Sequence, residues 1–427
     1  MTRLAIITTA LTSSLLGLCL ASSAGAETTY LTAAHMVDTV AGRVVDSPAV
    51  IIENGKITAV GTKTSLAAPK GAKRIDLGTK TILPGLIDMH VHITSRADMH
   101  GYRALAVTPV TEAISGVANA AITLHAGFTT IRNVGAGGFT DVALADAIES
   151  GEVPGPRIIP SGPAIGATGG HCDDNLLPHT YNIVGEAVAD GPDAIRAMVR
   201  KVHKYGAKSI KFCATGGVFS KGDTVGGQQY TLEEMTALVS EAHMLGLKVA
   251  AHAHGTSGIK DAIRAGVDTI EHASLADDEA FALAKAHGTA FSMDIYNDDY
   301  ILGEGEKVGI LPESLEKERM IGLKQRQTFQ AAVKAGVTMV FGSDAGVYPH
   351  GDNGRQFAKM VEWGMTPMQA IQAATTVSAK TLGDLGTDIG SISVGKSADI
   401  IAVNTDPTVT IKAMESVSFV MKSGKIF

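Results

Sequence analysis

Cysteine and tryptophan are scarce in this chain, with three cysteines and one tryptophan in 427 residues. So few thiols cannot form the disulfide framework that holds small extracellular domains together. Cys19 lies in an apolar leader, and the pairing state of the other two, Cys172 and Cys213, is left open by the sequence. Clusters of Lys and Arg interleaved with aromatics are missing, and 36 basic residues face 43 acidic ones. That balance makes nucleic acid and anionic membranes poor partners. Tandem repeats and low-complexity tracts are also absent, which excludes solenoids and disordered linkers as the main architecture. The run Leu4 to Leu20 is apolar but diluted by Thr and Ser, and no basic stop-transfer cluster follows it. A membrane anchor is therefore disfavoured.

The same run reads instead as a signal peptide over residues 1–26. Arg3 supplies the positive start and Ala24-Gly25-Ala26 a small-x-small cleavage site, with Glu27 opening the mature chain. Leu18 before Cys19 is a poor lipoprotein site. The expected product is exported, periplasmic or secreted, and its charge is −8, from 35 basic and 43 acidic residues once Arg3 is removed.

What is present is a globular composition, 45% hydrophobic and 19% charged, with 48 glycines. That glycine share exceeds the usual value of about 7% and suits tight βα turns. Residues 27–83 and 389–427 read as short strands, with Glu53-Asn54-Gly55-Lys56 as a hairpin turn. Neither end is long enough to bury a core by itself, so both are expected to build one small β-sandwich domain. Between them, 84–388 alternates apolar strand-like runs with helical ones. The strands are expected at 82–92, 127–134, 157–162, 208–215, 248–254, 268–273, 289–294 and 338–344. Helices are expected at 108–125, 193–205, 231–245, 257–265, 276–286 and 317–335. Eight such units imply an α/β fold, a (β/α)8 TIM-like barrel with its chemistry at the C-terminal ends of the strands.

Polar residues that look misplaced in these apolar strands all fall near that rim. His90 and His92 close the first strand as His-x-His and share one face of it. Lys211 sits in Ser209-Ile210-Lys211-Phe212-Cys213, His252 and His254 in Ala251-His252-Ala253-His254-Gly255, His272 in Glu271-His272-Ala273, and Asp344 in Gly342-Ser343-Asp344-Ala345-Gly346. Singly, each has an ordinary explanation as a polar core or turn residue. Together, on one expected rim, they are hard to explain as independent accidents, and a zinc site for hydrolysis wants nitrogen and oxygen ligands with one position open. A second metal nearby needs a bridging anion. A buried neutral lysine can supply one by taking up carbon dioxide as a carbamate, since burial penalises its charged form.

With Pro84-Gly85-Leu86-Ile87-Asp88-Met89-His90-Val91-His92, the Lys211 strand, His252-Ala253-His254-Gly255 and the Asp344 segment in view, the chain resembles the metal-dependent amidohydrolase superfamily over residues 30–427. Within it, the chain is similar to the imidazolonepropionase-like and Xaa-Pro dipeptidase-like branch, and to its ochratoxin-degrading amidohydrolases. The resemblance implies two Zn²⁺ ions. His90, His92 and Asp344 would hold one, His252 and His272 the other, and N6-carboxylated Lys211 would bridge them. It implies Asp344 as proton carrier and His254 beside the substrate as a catalytic or binding group. His171 and Tyr230, on loops expected at the barrel mouth, are candidates to receive a substrate carboxylate. The implied activity is carboxypeptidase-like cleavage of a dipeptide or N-acyl amino acid, with hydrolysis of ochratoxin A to ochratoxin α and phenylalanine among the expectations. A phosphotriesterase or lactonase, or a non-catalytic assembly relative, is the alternative. Homo-oligomers, octamers among them, are implied as well. If the leader is read correctly, N-terminal sequencing of the exported protein should begin at Glu27; exported material that still starts at Met1 would contradict it.

Overall fold

The computed structural model describes residues 28–427, and the leader lies outside the described residues. The chain ends build two sheets, one from N-terminal strands alone and one from both ends. A four-stranded sheet runs Lys56–Thr62, Pro48–Glu53, Thr28–Thr32 and Lys73–Asp76 in spatial order. A six-stranded sheet runs Lys425–Ile426, Val417–Lys422, Ile400–Val403, Thr81–Pro84, His35–Asp38 and Arg43–Asp46. Leu31, Val50, Ile52 and Ile57 from the first sheet bury against Ile82, Ile400, Ala402 and Met421 from the second. The turn expected at Asn54-Gly55 is there, with Glu53 opposite Lys56. Its central residues have φ of 52° and 77°, the left-handed pair that a two-residue hairpin needs and that Asn-Gly tolerates.

The central region carries the parallel strands. We number them β1 Leu86–Val91, β2 Phe128–Asn133, β3 Arg157–Ile159, β4 Ser209–Cys213, β5 Lys248–Ala253, β6 Thr269–His272, β7 Ala290–Ser292 and β8 Met339–Val340. β3, β2 and β1 form one sheet, and β4 to β8 another in sequence order. Backbone hydrogen bonds run across both gaps. Ile165, beyond β3, accepts from Cys213 and donates to Lys211 of β4. Met89 and His92 of the β1 segment donate to Phe341 and Ala345, beyond β8, and Asp344 donates to the His90 carbonyl. The helices expected between the strands are found at Pro109–His125, Pro192–Lys204, Leu232–Met244, Thr256–Ala265, Asp278–His287 and Pro312–Ala335. Thr231 opens one of them with a capping box to Glu234, which satisfies two orphan donors of the first turn. Among the described residues no helix is long and apolar enough to cross a membrane.

Two expectations need correction. The run 82–92 is two strands rather than one: Thr81–Pro84 pairs antiparallel with Ile400–Val403 in the terminal sheet, while β1 pairs parallel with β2. Pro84 lacks the amide proton that a continuous ladder would use, and the chain changes sheets across Gly85. Helices at Thr140–Glu149, Asn297–Val308 and Arg355–Glu362 were not foreseen. They lie in segments where the apolar pattern is short or interrupted by acidic residues.

Gly255, at the end of β5, shows how tightly the rim is built. A Cβ there would stand 1.9 Å from the Gly226 carbonyl oxygen, a backbone atom that cannot swing away. Gly255→Ala should therefore displace the loop holding Gly226 and destabilise the fold by about 1–3 kcal/mol, the usual scale of overpacking. Thermal unfolding of the variant checks this, and an unchanged Tm would contradict the close approach.

Candidate metal centre and active site

β1, β4, β5 and β6 deliver their polar residues to one cavity of about 500 Å³, lined by His90, His92, Lys211, His252, His254, His272 and Asp344. The Asp344 carboxylate sits between the two imidazoles of the His-x-His pair, its Oδ1 3.3 Å from the Nε2 of both His90 and His92. Asp344 has φ of 57°, and His272 and Ala273 have 70° and 50°. Such left-handed conformations in non-glycine residues store strain, and they cluster where a site needs a particular aim.

The imidazoles are pinned through their Nδ1 atoms. His90 Nδ1 meets Glu271 Oε2 at 2.8 Å, His92 Nδ1 meets the Gly135 carbonyl at 3.2 Å, and His272 Nδ1 meets Asp294 Oδ1 at 2.7 Å. Carbonyls and carboxylates accept, so each Nδ1 carries a proton, and Nε2 is the ring atom left to meet a ligand. Outer acceptors fix metal-binding histidines in the same way. Among the described residues, the buried Nε2 atoms of His90 and His252 have no hydrogen-bond partner, although the Asp344 carboxylate stands near the first. Buried polar atoms without partners are costly, so these two await a ligand. His90, His272 and Asp344 form one group, and His252, His254 and His272 another, whose candidate ligand atoms lie within 4.8 Å of one another. The residues present thus fit a metal.

Electrostatics agree with that fit. Burial, helped by neighbouring imidazoles, holds His252 and His254 well below the ordinary histidine range. They are neutral and able to ligate. Burial and Lys211 oppose protonation of His90, but Asp344 and Glu271 outweigh them and raise it to about 9. That is the signature of a spot where a cation is wanted. Asp344 itself is held well below its usual range because His90 and His92 outweigh its desolvation. Lys211 is 4% exposed, and burial lowers its pKa. Among the described residues its Nζ has no hydrogen-bond or ion-pair partner.

A second layer holds these groups. Glu271, fully buried, accepts from Arg132 Nη2 at 2.7 Å as well as from His90 and Thr269. Arg132 Nε donates to the Met89 carbonyl at 2.7 Å. Asn297 Nδ2 donates to Asp294 Oδ2 at 2.6 Å and Asp344 Oδ2 at 2.9 Å, and Gln325 donates to Asp294 Oδ1 at 2.9 Å. Asp88 accepts from the backbone amides of His90 and Ser343, which ties the β1 pair to the Asp344 corner. Sequence reasoning assigned no site role to Arg132, Glu271, Asp294 or Asn297. The one legible signal was that Glu271 and Arg132 are charges inside apolar strands.

The loop candidates divide. His171 does reach the cavity, stacked on His252 with ring centroids 4.0 Å apart. Its Nδ1 lies 2.7 Å from Ser220 Oγ, which donates to Asp223, and Lys317 closes that network with a 2.7 Å ion pair. Tyr230 does not reach it. Its ring is buried against Phe212 and its hydroxyl donates to the Ala189 carbonyl at 2.7 Å, so the expected substrate contact is corrected to a packing residue. Cys172 and Cys213 form a disulfide, joining the residue after His171 to β4 two positions beyond Lys211.

A profile described as Amidohydrolase family matches residues 81–427. The chain belongs to that family. This amidohydrolase is 31% identical to the ochratoxinase of Aspergillus niger over 411 residues, 90% of this chain and 84% of the relative. The crystal structure of that ochratoxinase aligns over 94% of this chain and 96% of its own, with a TM-score of 0.84 and 30% identity. A Xaa-Pro dipeptidase with methionine bound in its active site aligns over 94% and 99%, with a TM-score of 0.85 and 36% identity. The protein is a hydrolytic enzyme of a metal-dependent family.

Replacing Arg132 by Leu would strand the Glu271 carboxylate without its guanidinium. The expected loss is about 3–5 kcal/mol, the cost of breaking a buried pair from one side. Urea unfolding measures it, and a loss below 1 kcal/mol would mean that the pair behaves like a surface one.

Proposed function

We propose that this amidohydrolase hydrolyses the amide between an acyl group and an amino acid, in dipeptides or N-acyl amino acids, at a binuclear zinc centre. The observation that carries the reading is the convergence of orphaned imidazole nitrogens, an unpaired buried lysine and a shared carboxylate on one cavity. In this reading His90, His92 and Asp344 would hold one zinc and His252 and His272 the other, and Lys211, as a carbamate, would serve both. Unpaired burial of Lys211 supports that modification, because its amine is easier to find neutral. The hydrogen bonds across the β3/β4 and β8/β1 gaps support a closed barrel. When bound, the metals supply Lewis acidity and lower the pKa of the attacking water.

The chain's own groups then have distinct tasks. Asp344 takes a proton from the attacking water and returns it to the departing amine. Asn297, donating to Oδ2, keeps that carboxylate oriented. His254, stacked 4.8 Å from the His272 ring and anchored at Ser274, faces the substrate and is suited to donate to the developing oxyanion. His171 stands at the cavity wall as the candidate for a substrate carboxylate. An amino-acid product is supported by the methionine in the related dipeptidase, and phenylalanine release from ochratoxin A by the ochratoxinase relationship. Export is supported by the Cys172–Cys213 bond, which an oxidising compartment maintains. Self-association is supported by Val110, Ile114 and Val117, an exposed apolar stripe on the helix Pro109–His125.

Two measurements test the reading. Chelation should abolish hydrolysis of a panel of dipeptides, N-acyl amino acids and ochratoxin A, and added zinc should restore it. Turnover that survives complete metal removal would overturn the metal assignment. Asp344→Asn should lower kcat by about 10²–10⁴-fold, the range for losing a general acid–base group. Near-normal turnover in that variant would remove Asp344 from proton transfer.

A further inference from the structure

The helix Pro312–Ala335 sends Glu318, Ile321 and Gln325 into the cavity wall. Their spacing of three and four residues places them on one helix face. Gln325 is spent on Asp294, which in turn holds His272, so this face is fixed to the metal site. Glu318 lies seven residues earlier, about 10 Å along the axis at 1.5 Å per residue. It is 4% exposed, yet among the described residues its carboxylate has no hydrogen bond and no ion pair. Arg326, the cation nearest in electrostatic effect, is already committed. Its guanidinium bonds Asp298 Oδ2 at 3.1 Å, Asp299 Oδ1 at 2.8 Å and the Ile295 carbonyl at 3.0 Å.

We infer that the Glu318 carboxylate recognises a positively charged nitrogen of the substrate, an inference that rests on the proposed amide hydrolysis. A largely buried acid that opens onto the cavity without a protein partner is free to meet a ligand there, and a purely structural one would be expected to come with its donor. Burial, with Asp298 and Asp294 beside it, raises Glu318 to about 8. A cation beside it would favour the ionised carboxylate that burial and these neighbouring acids disfavour. An ammonium or guanidinium restores the missing partner and relieves the crowding. Apolar Ile301 and Val347 line the same cavity. The cation has two sources, the α-ammonium of an unblocked dipeptide or a basic side chain.

Matched substrates separate these sources and test the inference. The pairs are Ala-Phe against acetyl-Ala-Phe, and Phe-Lys against Phe-norleucine. The zinc-supplemented full chain should favour the cationic member of at least one pair by about tenfold or more in kcat/KM, the scale of one charge-assisted hydrogen bond. Which pair shows it identifies the source. Glu318→Gln, nearly isosteric, should bring that ratio towards one, and Glu318→Asp should keep part of it. Calorimetric binding of the same pairs to the Asp344→Asn variant gives a readout independent of turnover. Equal affinity for cationic and neutral members, or a preference that survives Glu318→Gln, would overturn the assignment. Discrimination in binding without turnover of any pair would support Glu318 and overturn the scissile bond proposed above.

Discussion

The Glu271 carboxylate is the point at which three strands are joined. From β6 it takes a guanidinium from β2, an imidazole proton from β1 and a hydroxyl proton from Thr269 on its own strand. These donors outweigh full burial and keep its pKa well below the usual carboxylate range. A charge buried this deeply is tolerated only when its lone pairs are met, so the three contacts stand or fall together. The next residue, His272, adopts a left-handed backbone and lines the cavity. Consecutive residues of one strand thus serve the anchoring layer and the reactive layer at once.

From that anchor follows the character of the site. Acceptors on the outside of the cavity hold the Nδ1 protons of His90, His92 and His272, and the lone pairs on Nε2 are what remains to face inward. Inward-facing ring nitrogens, a shielded amine and one shared carboxylate make a basin suited to a cation. Orientation is set before any ion arrives, because the outer acceptors, Glu271 on β6, the Gly135 carbonyl past β2 and Asp294 past β7, belong to the folded frame. Such preorganisation lets a hydrolytic centre act without rearranging.

Much of this was legible in the sequence. Period-two spacing puts His90 beside His92, and a lysine flanked by Ile210 and Phe212 in a strand-like run stands out because its neighbours are apolar. The unforeseen parts are those where local chemistry is ambiguous. Asp294 is the last residue of the strand expected at 289–294 and Asn297 lies past it, and only the fold brings them to His272 and Asp344. Arg132 was hidden because a strand arginine usually snorkels to water, whereas here it points at Glu271. Tyr230 misled because its neighbours Gly226 and Gly227 suggested an open loop, yet its phenol found a carbonyl inside. The change of sheet at Gly85 left only Pro84-Gly85 as a trace.

The Cys172–Cys213 bond closes a loop across a sequence separation of 41 residues and ends beside two groups that face the cavity. Loop-closure entropy alone gives such a crosslink on the order of 4 kcal/mol. Its neighbours, His171 on one side and Lys211 on the other, make it more than a staple. A molecule assembled in a reducing cytosol and one assembled in an oxidising space share a sequence but differ in how firmly the wall beside His252 is fastened. The chain's oxidation history is thereby written into the geometry of its reaction chamber.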